Sequence, residues 1–215
     1  MAEETLDKYN KTIEIPRSRM FGNPMPGSNR SPQLAWCIYK ANPRISVFVN
    51  GPQDTAGKGI ISAPMDPTTM MVLLDDMLKI ADGPNGVSDK MTCFTTSRET
   101  GNGAGAPEKI LLSEVHYGKD ENGIVWIGLV AKDQPKIRFP FRMSDWHELY
   151  FGDQPATEAS ASVARAKGAI GLLKKAYPIY IADIELSVLN RMAAEQRQQP
   201  RSKSAGSSFD DDITF

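Results

Sequence analysis

Aromatic and cationic side chains alternate with apolar ones along segments that have the composition of β-strands. Ile45, Val47 and Val49 fall on one face of such a strand, and Arg44 and Phe48 fall on the other. Because successive side chains of a strand point to opposite faces, the apolar set is expected in the core and the other set outside. Flat rings can stack on bases and cations can pair with phosphates, so the outward set is suited to a single nucleic-acid strand.

The same alternation recurs in later segments. The apolar sets expected to point inward are Val125, Ile127 and Leu129 in one strand and Ile137, Phe139 and Phe141 in the next. The outward aromatic and cationic side chains form the predicted contacts with single-stranded DNA: Arg44, Phe48, Lys58, Lys90, Phe94, Arg98, Trp126, Lys132, Lys136, Arg138 and Arg142. The alternative is that some of these aromatic rings fill a second core beneath the C-terminal helices.

A short acidic stretch followed by apolar residues stands at the end of the sequence. Residues 207–215 read Ser-Ser-Phe-Asp-Asp-Asp-Ile-Thr-Phe. Three adjacent carboxylates repel one another and have little apolar surface nearby, so we expect no independent fold here. Acidic residues followed by apolar ones suit a small apolar pocket rimmed by Arg or Lys in another protein. The predicted partner-binding residues are Phe209, Asp210, Asp211, Asp212, Ile213 and Phe215; the alternative is a solvated acidic tail.

The strands that must position the outward side chains follow from composition and turn residues. They are predicted over 34–40, 44–50, 58–65, 89–98, 109–117, 124–132 and 136–143. Asn42-Pro43 is predicted to turn between the first two strands, and Asn122-Gly123 indicates a later hairpin.

Helices are predicted after the third strand and at the end of the body. Asp66 as N-cap and Pro67 at the first helical position begin one helix, and Gly83 ends it. Its apolar side chains at helical spacing are expected in the core rather than in a binding groove: Met70, Met71, Leu74, Met77 and Leu78. A short helix is predicted to begin at Ser144. Two further helices are predicted over 158–177 and 179–196, separated by Pro178.

The order of strands then helix occurs twice, which suggests an internal repeat. Residues 58–69 align without a gap with residues 136–147, so that Asp66 and Ser144 correspond as helix caps. Three parts are therefore expected: a flexible N-terminal arm over 1–33, a binding domain over 34–196, and a linker with an acidic tail over 197–215. The fold class is predicted as α+β, with antiparallel sheets and two strand-then-helix repeats.

Two resemblances connect these features. The acidic tail resembles the C-terminal tip of bacterial single-stranded-DNA-binding proteins, Asp-Asp-Asp-Ile-Pro-Phe, with Thr214 in place of Pro; bacteriophage proteins of this class have related tails. The segment Gly57-Lys58-Gly59-Ile60 leading into Asp66-Pro67 is similar to the strand-to-helix junction of positive cofactor four, in the whirly group of single-strand binders. The resemblances imply a bacteriophage-type single-stranded-DNA-binding protein that coats DNA and recruits replication, recombination or repair proteins. An OB-fold barrel with C-terminal helices is the alternative architecture.

Composition excludes several other classes. The 215 residues carry a formal net charge of −1, so any electropositive surface must come from the distribution of the 25 Lys and Arg. Cys37 and Cys93, with two histidines, give no zinc-binding pattern and fit a reducing cytosol, either the cell's own or a bacterial host's. We expect no membrane span, no cofactor and no metal.

No enzyme is predicted either. Five residues separate Gly51 from Gly57 where a phosphate-binding loop needs four, and Gly59 follows Lys58 in place of Ser or Thr. No Ser/His/Asp or Cys/His set has a catalytic spacing. Two alternatives stay open beside DNA binding, namely a replication adaptor that binds partners only through its tail, and an RNA-binding or transcriptional regulator on the same fold. A homodimer is compatible with either.

Overall fold

Strands and helices form two successive groups in the computed structural model, which describes residues 9–24, 30–50, 59–97, 108–143 and 147–198. The first group contains β1 (Ile13–Glu14), β2 (Met20–Phe21), β3 (Gln33–Tyr39), β4 (Asn42–Phe48), β5 (Ile60–Pro64) and α1 (Pro67–Asp82). The second contains β6 (Val87–Ser97), β7 (Glu108–Lys119), β8 (Val125–Val130), β9 (Ile137–Pro140), β10 (Tyr150–Phe151), β11 (Gln154–Pro155) and α2 (Glu158–Gln198). The fold is α+β with antiparallel sheets and two strand-then-helix units, as predicted.

The first sheet has the order β1-β3-β4-β5, and β2 pairs with β3 beside β1. The β3–β4 hairpin turns at Lys40 and Ala41, which both have positive φ, rather than at Asn42-Pro43 as predicted. Two central residues with positive φ match the twist of the flanking strands in a two-residue hairpin. Asn42 and Pro43 therefore already belong to β4.

The second sheet has the order β6-β7-β8-β9. The predicted hairpin at Asn122-Gly123 is confirmed, with Gly123 at φ +80°. The Asp120 carboxylate accepts hydrogen bonds from the backbone N–H groups of Asn122 and Ile124, which closes the loop between β7 and β8. Strands β6 and β7 pair over eleven residues of β6, which is the longest strand pairing among the described residues of either sheet.

Helix α1 begins and ends where its capping residues predict. The Asp66 carboxylate accepts a hydrogen bond of 3.0 Å from the backbone N–H of Thr69, and Pro67 is the first helical residue. Gly83 donates its backbone N–H to the carbonyl of Ile80 at the other end. The apolar stripe packs in the core as predicted; its buried residues are Met70, Leu73, Leu74, Met77 and Ala81, with Met71 and Leu78 at its border.

Helix α2 is one continuous helix, so the predicted interruption at Pro178 is wrong. Pro178 removes one backbone hydrogen bond, but its ring lies on the exposed side of the helix. Apolar side chains before and after it, such as Tyr177 and Ile181, are buried in the same core. This packing keeps both halves helical despite the local cost.

The short helix predicted to begin at Ser144 falls partly outside the described residues. Residues 144–146 lie outside the described residues, and 147–149 have no regular structure. The β10–β11 hairpin separates β9 from α2, whereas only Met65 and Asp66 lie between β5 and α1. Helix α2 begins at Glu158, and the hydroxyl of Thr157 just before it accepts a hydrogen bond from the backbone N–H of Ser160. The predicted correspondence of Ser144 with Asp66 as helix caps falls outside the described residues, and the repeated order of strands then helix holds.

Both sheets turn their apolar faces toward one core that also contains the two helices. The predicted inward residues are buried: Ile45, Val47, Val49, Val125, Ile127, Leu129, Ile137, Phe139 and Phe141. The backbone N–H of Val125 donates a hydrogen bond of 3.0 Å to the buried Ser162 hydroxyl, which ties β8 to α2. The opposite faces of the two sheets are consequently turned away from the helices.

A tight turn near the N-terminal strands permits a stability test. Pro16 and Arg17 are its central residues, the backbone N–H of Ser18 lies 3.3 Å from the carbonyl of Ile15, and Arg17 has φ +61°. A positive φ after Pro marks a type II turn, which favours Gly at that position. We expect Arg17→Gly to raise the free energy of unfolding by about 0.5–1 kcal/mol, because the steric cost of the left-handed conformation is removed. Urea denaturation measures this; Arg17→Ala, which keeps the steric cost, should give no gain, and a loss on Arg17→Gly would contradict the turn assignment.

Candidate nucleic-acid interface

A row of two phenylalanines, one isoleucine and one glutamine crosses the outer face of the first sheet. The strand register pairs Phe21 with Gln33, Gln33 with Phe48, and Phe48 with Ile60, so the four residues lie side by side on four neighbouring strands. Phe21 is 59% exposed and Ile60 is 39% exposed, while Phe48 is half-buried between them. Neighbouring strands are about 4.8 Å apart, so this row, which we call the stacking row, spans the width of the sheet.

Cationic groups lie on the same outer face, farther along the strands: Arg44 is four residues from Phe48 on β4, with the buried Ser46 between them. The guanidinium carbon of Arg44 is 4.9 Å from the centre of the Tyr39 ring, and the Lys40 ammonium is 5.4 Å from the same centre. Arg44 forms no ion pair among the described residues, and its Nε is buried without a hydrogen-bond partner there. Its guanidinium is thus held against the tyrosine ring, and none of the described carboxylates forms an ion pair with it.

Arg19, beside the stacking row, differs from Arg44 in that its charge is paired with a carboxylate. Its guanidinium forms an ion pair with Glu14 and donates a hydrogen bond of 2.8 Å to the side chain of Gln33. This pair and Arg44 flank Cys37, whose pKa is raised to about 11 mainly by burial. The thiol is therefore neutral at physiological pH and is no candidate nucleophile. The surface offers stacking and charge rather than covalent chemistry.

The outer face of the second sheet contains the other predicted aromatic–cation pair. Trp126 and Arg138 are both on this face, and the guanidinium carbon lies 4.3 Å from the indole. Trp126 is only 8% exposed, so the expectation that its ring is open for stacking is wrong. Arg138 lies over the ring, and Gly118 is so close that an added Cβ would come within 2.9 Å of the indole. The exposed group here is the guanidinium, which can itself stack on a base or pair with a phosphate.

Two further predicted cations of this region pair with carboxylates. Lys90 forms a salt bridge of 2.7 Å with Glu114, and the Arg142 Nε lies 3.5 Å from the Glu158 carboxylate. Hydrogen bonds from Lys90 and then His116 hold the pKa of Glu114 below its ordinary value, so this carboxylate stays charged and offsets Lys90. Lys132 and Lys136 are exposed, with no ion pair among the described residues. Of the predicted cations of this region, Arg138 on β9 and Lys132 and Lys136 in the loop before β9 are exposed without an ion pair among the described residues.

Phe94 lies apart from both groups, on the long β6–β7 hairpin. It is 56% exposed and pairs with Leu111, just beyond a register shift in the hairpin. Leu111 is itself 54% exposed, and Ile110 and Leu112 are also exposed. Phe94 and Leu111 are thus exposed apolar neighbours, and the exposed Lys109 is the next residue along β7 on the same face as Leu111. Lys58, Arg98 and the six tail residues lie outside the described residues.

The predicted surface therefore divides into two. Arg44 and Phe48 are together on the outer face of the first sheet, and Trp126 and Arg138 are together on that of the second. Sequence analysis missed Phe21, Tyr39 and Ile60 on the first face. Alternation along the strand that includes Tyr39 could have placed that ring outward, but the pairing of Phe21 with β3 had no marker in the sequence.

Other kinds of site are not indicated. The described residues include no group of three or more His, Cys, Asp or Glu side chains placed to hold a metal ion. In the same part of the chain, neither helix has a stretch long and apolar enough to cross a membrane. No protein-family model matches the chain, and comparison with curated proteins and with solved structures also gives no match.

Proposed function

We propose that this protein binds single-stranded DNA without sequence preference, through the outer face of its first sheet. The observation that carries the proposal is the stacking row of Phe21, Gln33, Phe48 and Ile60, with the uncompensated Arg44 on the same face. Rings on a sheet surface can stack on bases, and a cation farther along the same face can pair with a phosphate of the same strand. Duplex DNA hides the ring faces of its bases, so the arrangement favours single strands.

The chemistry of the surface also supports the lack of sequence preference. Aromatic rings, Ile60 and guanidinium groups contact ring faces and phosphates, which all nucleotides share. Arg138 on β9, with Lys132 and Lys136 in the loop before it, adds cations that a longer strand can reach. The net charge of −1 means that these local clusters, and not an overall basic surface, must supply the attraction.

The experiment that tests the proposal is a titration followed by fluorescence anisotropy. A labelled dT oligonucleotide of about thirty nucleotides is mixed with the full-length protein at 50 and 200 mM salt, with duplex and RNA competitors. We expect binding that weakens as salt rises, because displaced counterions return to the phosphates, and that duplex DNA displaces poorly. No binding at either salt concentration would overturn the proposal and favour the replication adaptor. Equal competition by RNA would favour the RNA-binding alternative.

The acidic tail is proposed to recruit other replication or recombination proteins. Its three carboxylates are also expected to compete weakly with DNA for cations at low salt. Deleting residues 209–215 should therefore keep or raise the affinity for dT at 50 mM salt, and should abolish binding of tail-dependent partners. The same anisotropy titration measures the first effect, and a matched tail with Asp210, Asp211 and Asp212 changed to Asn separates charge from length. A loss of DNA affinity on deletion would contradict this role.

A further inference from the structure

The solvent side of α2 has an apolar stripe of its own. Leu172, Ile179 and Leu186 recur every seven residues and are 71%, 68% and 59% exposed. Residues seven apart lie on nearly the same side of a helix, because 3.6 residues make one turn. Ile170, Tyr177 and Ile184 have the same spacing on the opposite side, and they are buried in the core. Helix α2 is thus apolar on two sides, of which only one is covered.

Small side chains continue this stripe. Gly168, Ala182 and Ala193 lie near the same line along the helix and are exposed. A helix that packs on a core with one side normally presents charged and polar residues on the other. Large apolar side chains at a spacing of seven, with small ones between them, are instead typical of a seam between two helices.

Charge placement indicates what covers the stripe. On the side of α2 that meets α1, Lys167 pairs with Asp82 and Lys174 pairs with Asp75 within the chain. Lys175 and Asp183 flank the stripe and are exposed, with no ion pair among the described residues. Lys175 is four residues before Ile179, and Asp183 is four residues after it. Leu172 is likewise seven residues before Ile179, and Leu186 is seven residues after it.

We propose that the stripe binds a second copy of this chain, with the two α2 helices packed antiparallel around Ile179. In that arrangement Ile179 meets its counterpart, and each Leu172 meets Leu186 of the other copy. Lys175 of each copy then lies opposite Asp183 of the other copy, which gives two equivalent pairs of opposite charge. A two-fold interface uses the same surface of both partners and so must be complementary to itself, which this pattern is. Parallel packing would instead place Lys175 against Lys175 and Asp183 against Asp183.

The inference does not depend on DNA binding, but it has a consequence for it. The stripe faces away from the core that α2 shares with both sheets, so the outer face of the first sheet stays accessible. A dimer would present two stacking rows, and a strand long enough to reach both would bind more tightly than a short one.

Sedimentation velocity of the full-length protein over a range of concentrations tests the proposal. We expect a species of twice the 23.6 kDa chain mass. Ile179→Glu places two carboxylates at the two-fold axis and should weaken dimerisation by about 30-fold or more, as expected for a central contact. Val72→Glu is the matched control, since Val72 is an exposed apolar residue on α1, 49% exposed. Circular dichroism checks that both variants fold.

Charge reversal tests the antiparallel geometry itself. Lys175→Glu places like charges opposite each other and should weaken the dimer, and so should Asp183→Lys. The double variant restores opposite charges and should dimerise like the original chain. A protein that stays monomeric at all concentrations would overturn the proposal. A double variant that dimerises no more tightly than either single variant would overturn it as well.

Discussion

Replacing Phe21 by alanine is expected to weaken binding of a dT oligonucleotide by about 5- to 150-fold. A stacked base contributes about 1–3 kcal/mol, and each 1.4 kcal/mol is a tenfold change in affinity. Phe21 is the most exposed ring of the stacking row, at 59%, so its removal should change binding much more than folding. Anisotropy at fixed salt measures the affinity, and urea denaturation measures the stability.

The matched control is Phe151→Ala. Phe151 is 55% exposed and lies in the β10–β11 hairpin, which is not part of the first sheet. Its removal should leave the affinity unchanged within about twofold, a difference of less than 0.5 kcal/mol. If both variants lost affinity equally, or if Phe21→Ala lost none, Phe21 would not be a stacking residue.

Replacing Gly128 by alanine is expected to lower the free energy of unfolding by about 1–3 kcal/mol. A Cβ at this position would lie 2.4 Å from the backbone carbonyl oxygen of Ile137, so β8 and β9 would have to separate. Trp126 is on β8 and Arg138 is on β9, so their cation–π contact should loosen at the same time. Urea denaturation measures the first effect, and a change in tryptophan fluorescence reports the second.

Gly171→Ala provides the contrast. An added Cβ at Gly171 meets nothing within 4 Å, and the residue is in α2, where Ala is favoured over Gly by about 0.5–1 kcal/mol. This variant should therefore gain stability. A neutral result for Gly128→Ala, with Gly171→Ala stabilised as expected, would show that β8 and β9 are not as close at this point as the structure has them.

Short-range patterns predicted most of the elements and the inner faces of the strands. Alternation placed Val47 and Ile127 in the core, and capping residues placed the start of α1 at Pro67. These features depend on neighbours a few residues away, which the sequence displays directly. The predicted interruption at Pro178 failed for the opposite reason, since packing of distant residues keeps the helical backbone continuous there.

The arrangement of the site depended on contacts that sequence patterns do not record. Alternation placed Trp126 and Arg138 on one outer face, but it could not show that the guanidinium covers the ring. It also gave no indication that Phe21, in the N-terminal segment, joins Phe48 in one row through the pairing of β2 with β3. The predicted outward residues consequently form two surfaces on two sheets, and the first also contains the rings of Phe21 and Tyr39, which sequence analysis had not assigned to it.

Photo-crosslinking tests the location of DNA on the first sheet most directly. A dT oligonucleotide containing 5-iododeoxyuridine is bound to the full-length protein and irradiated, and tryptic peptides are identified by mass spectrometry. The account predicts crosslinks in peptides 20–30, 31–40 and 45–58, which contain Phe21, Tyr39 and Phe48 respectively. Crosslinks confined to peptides 91–98 and 120–132, which contain Phe94 and Trp126, would contradict it.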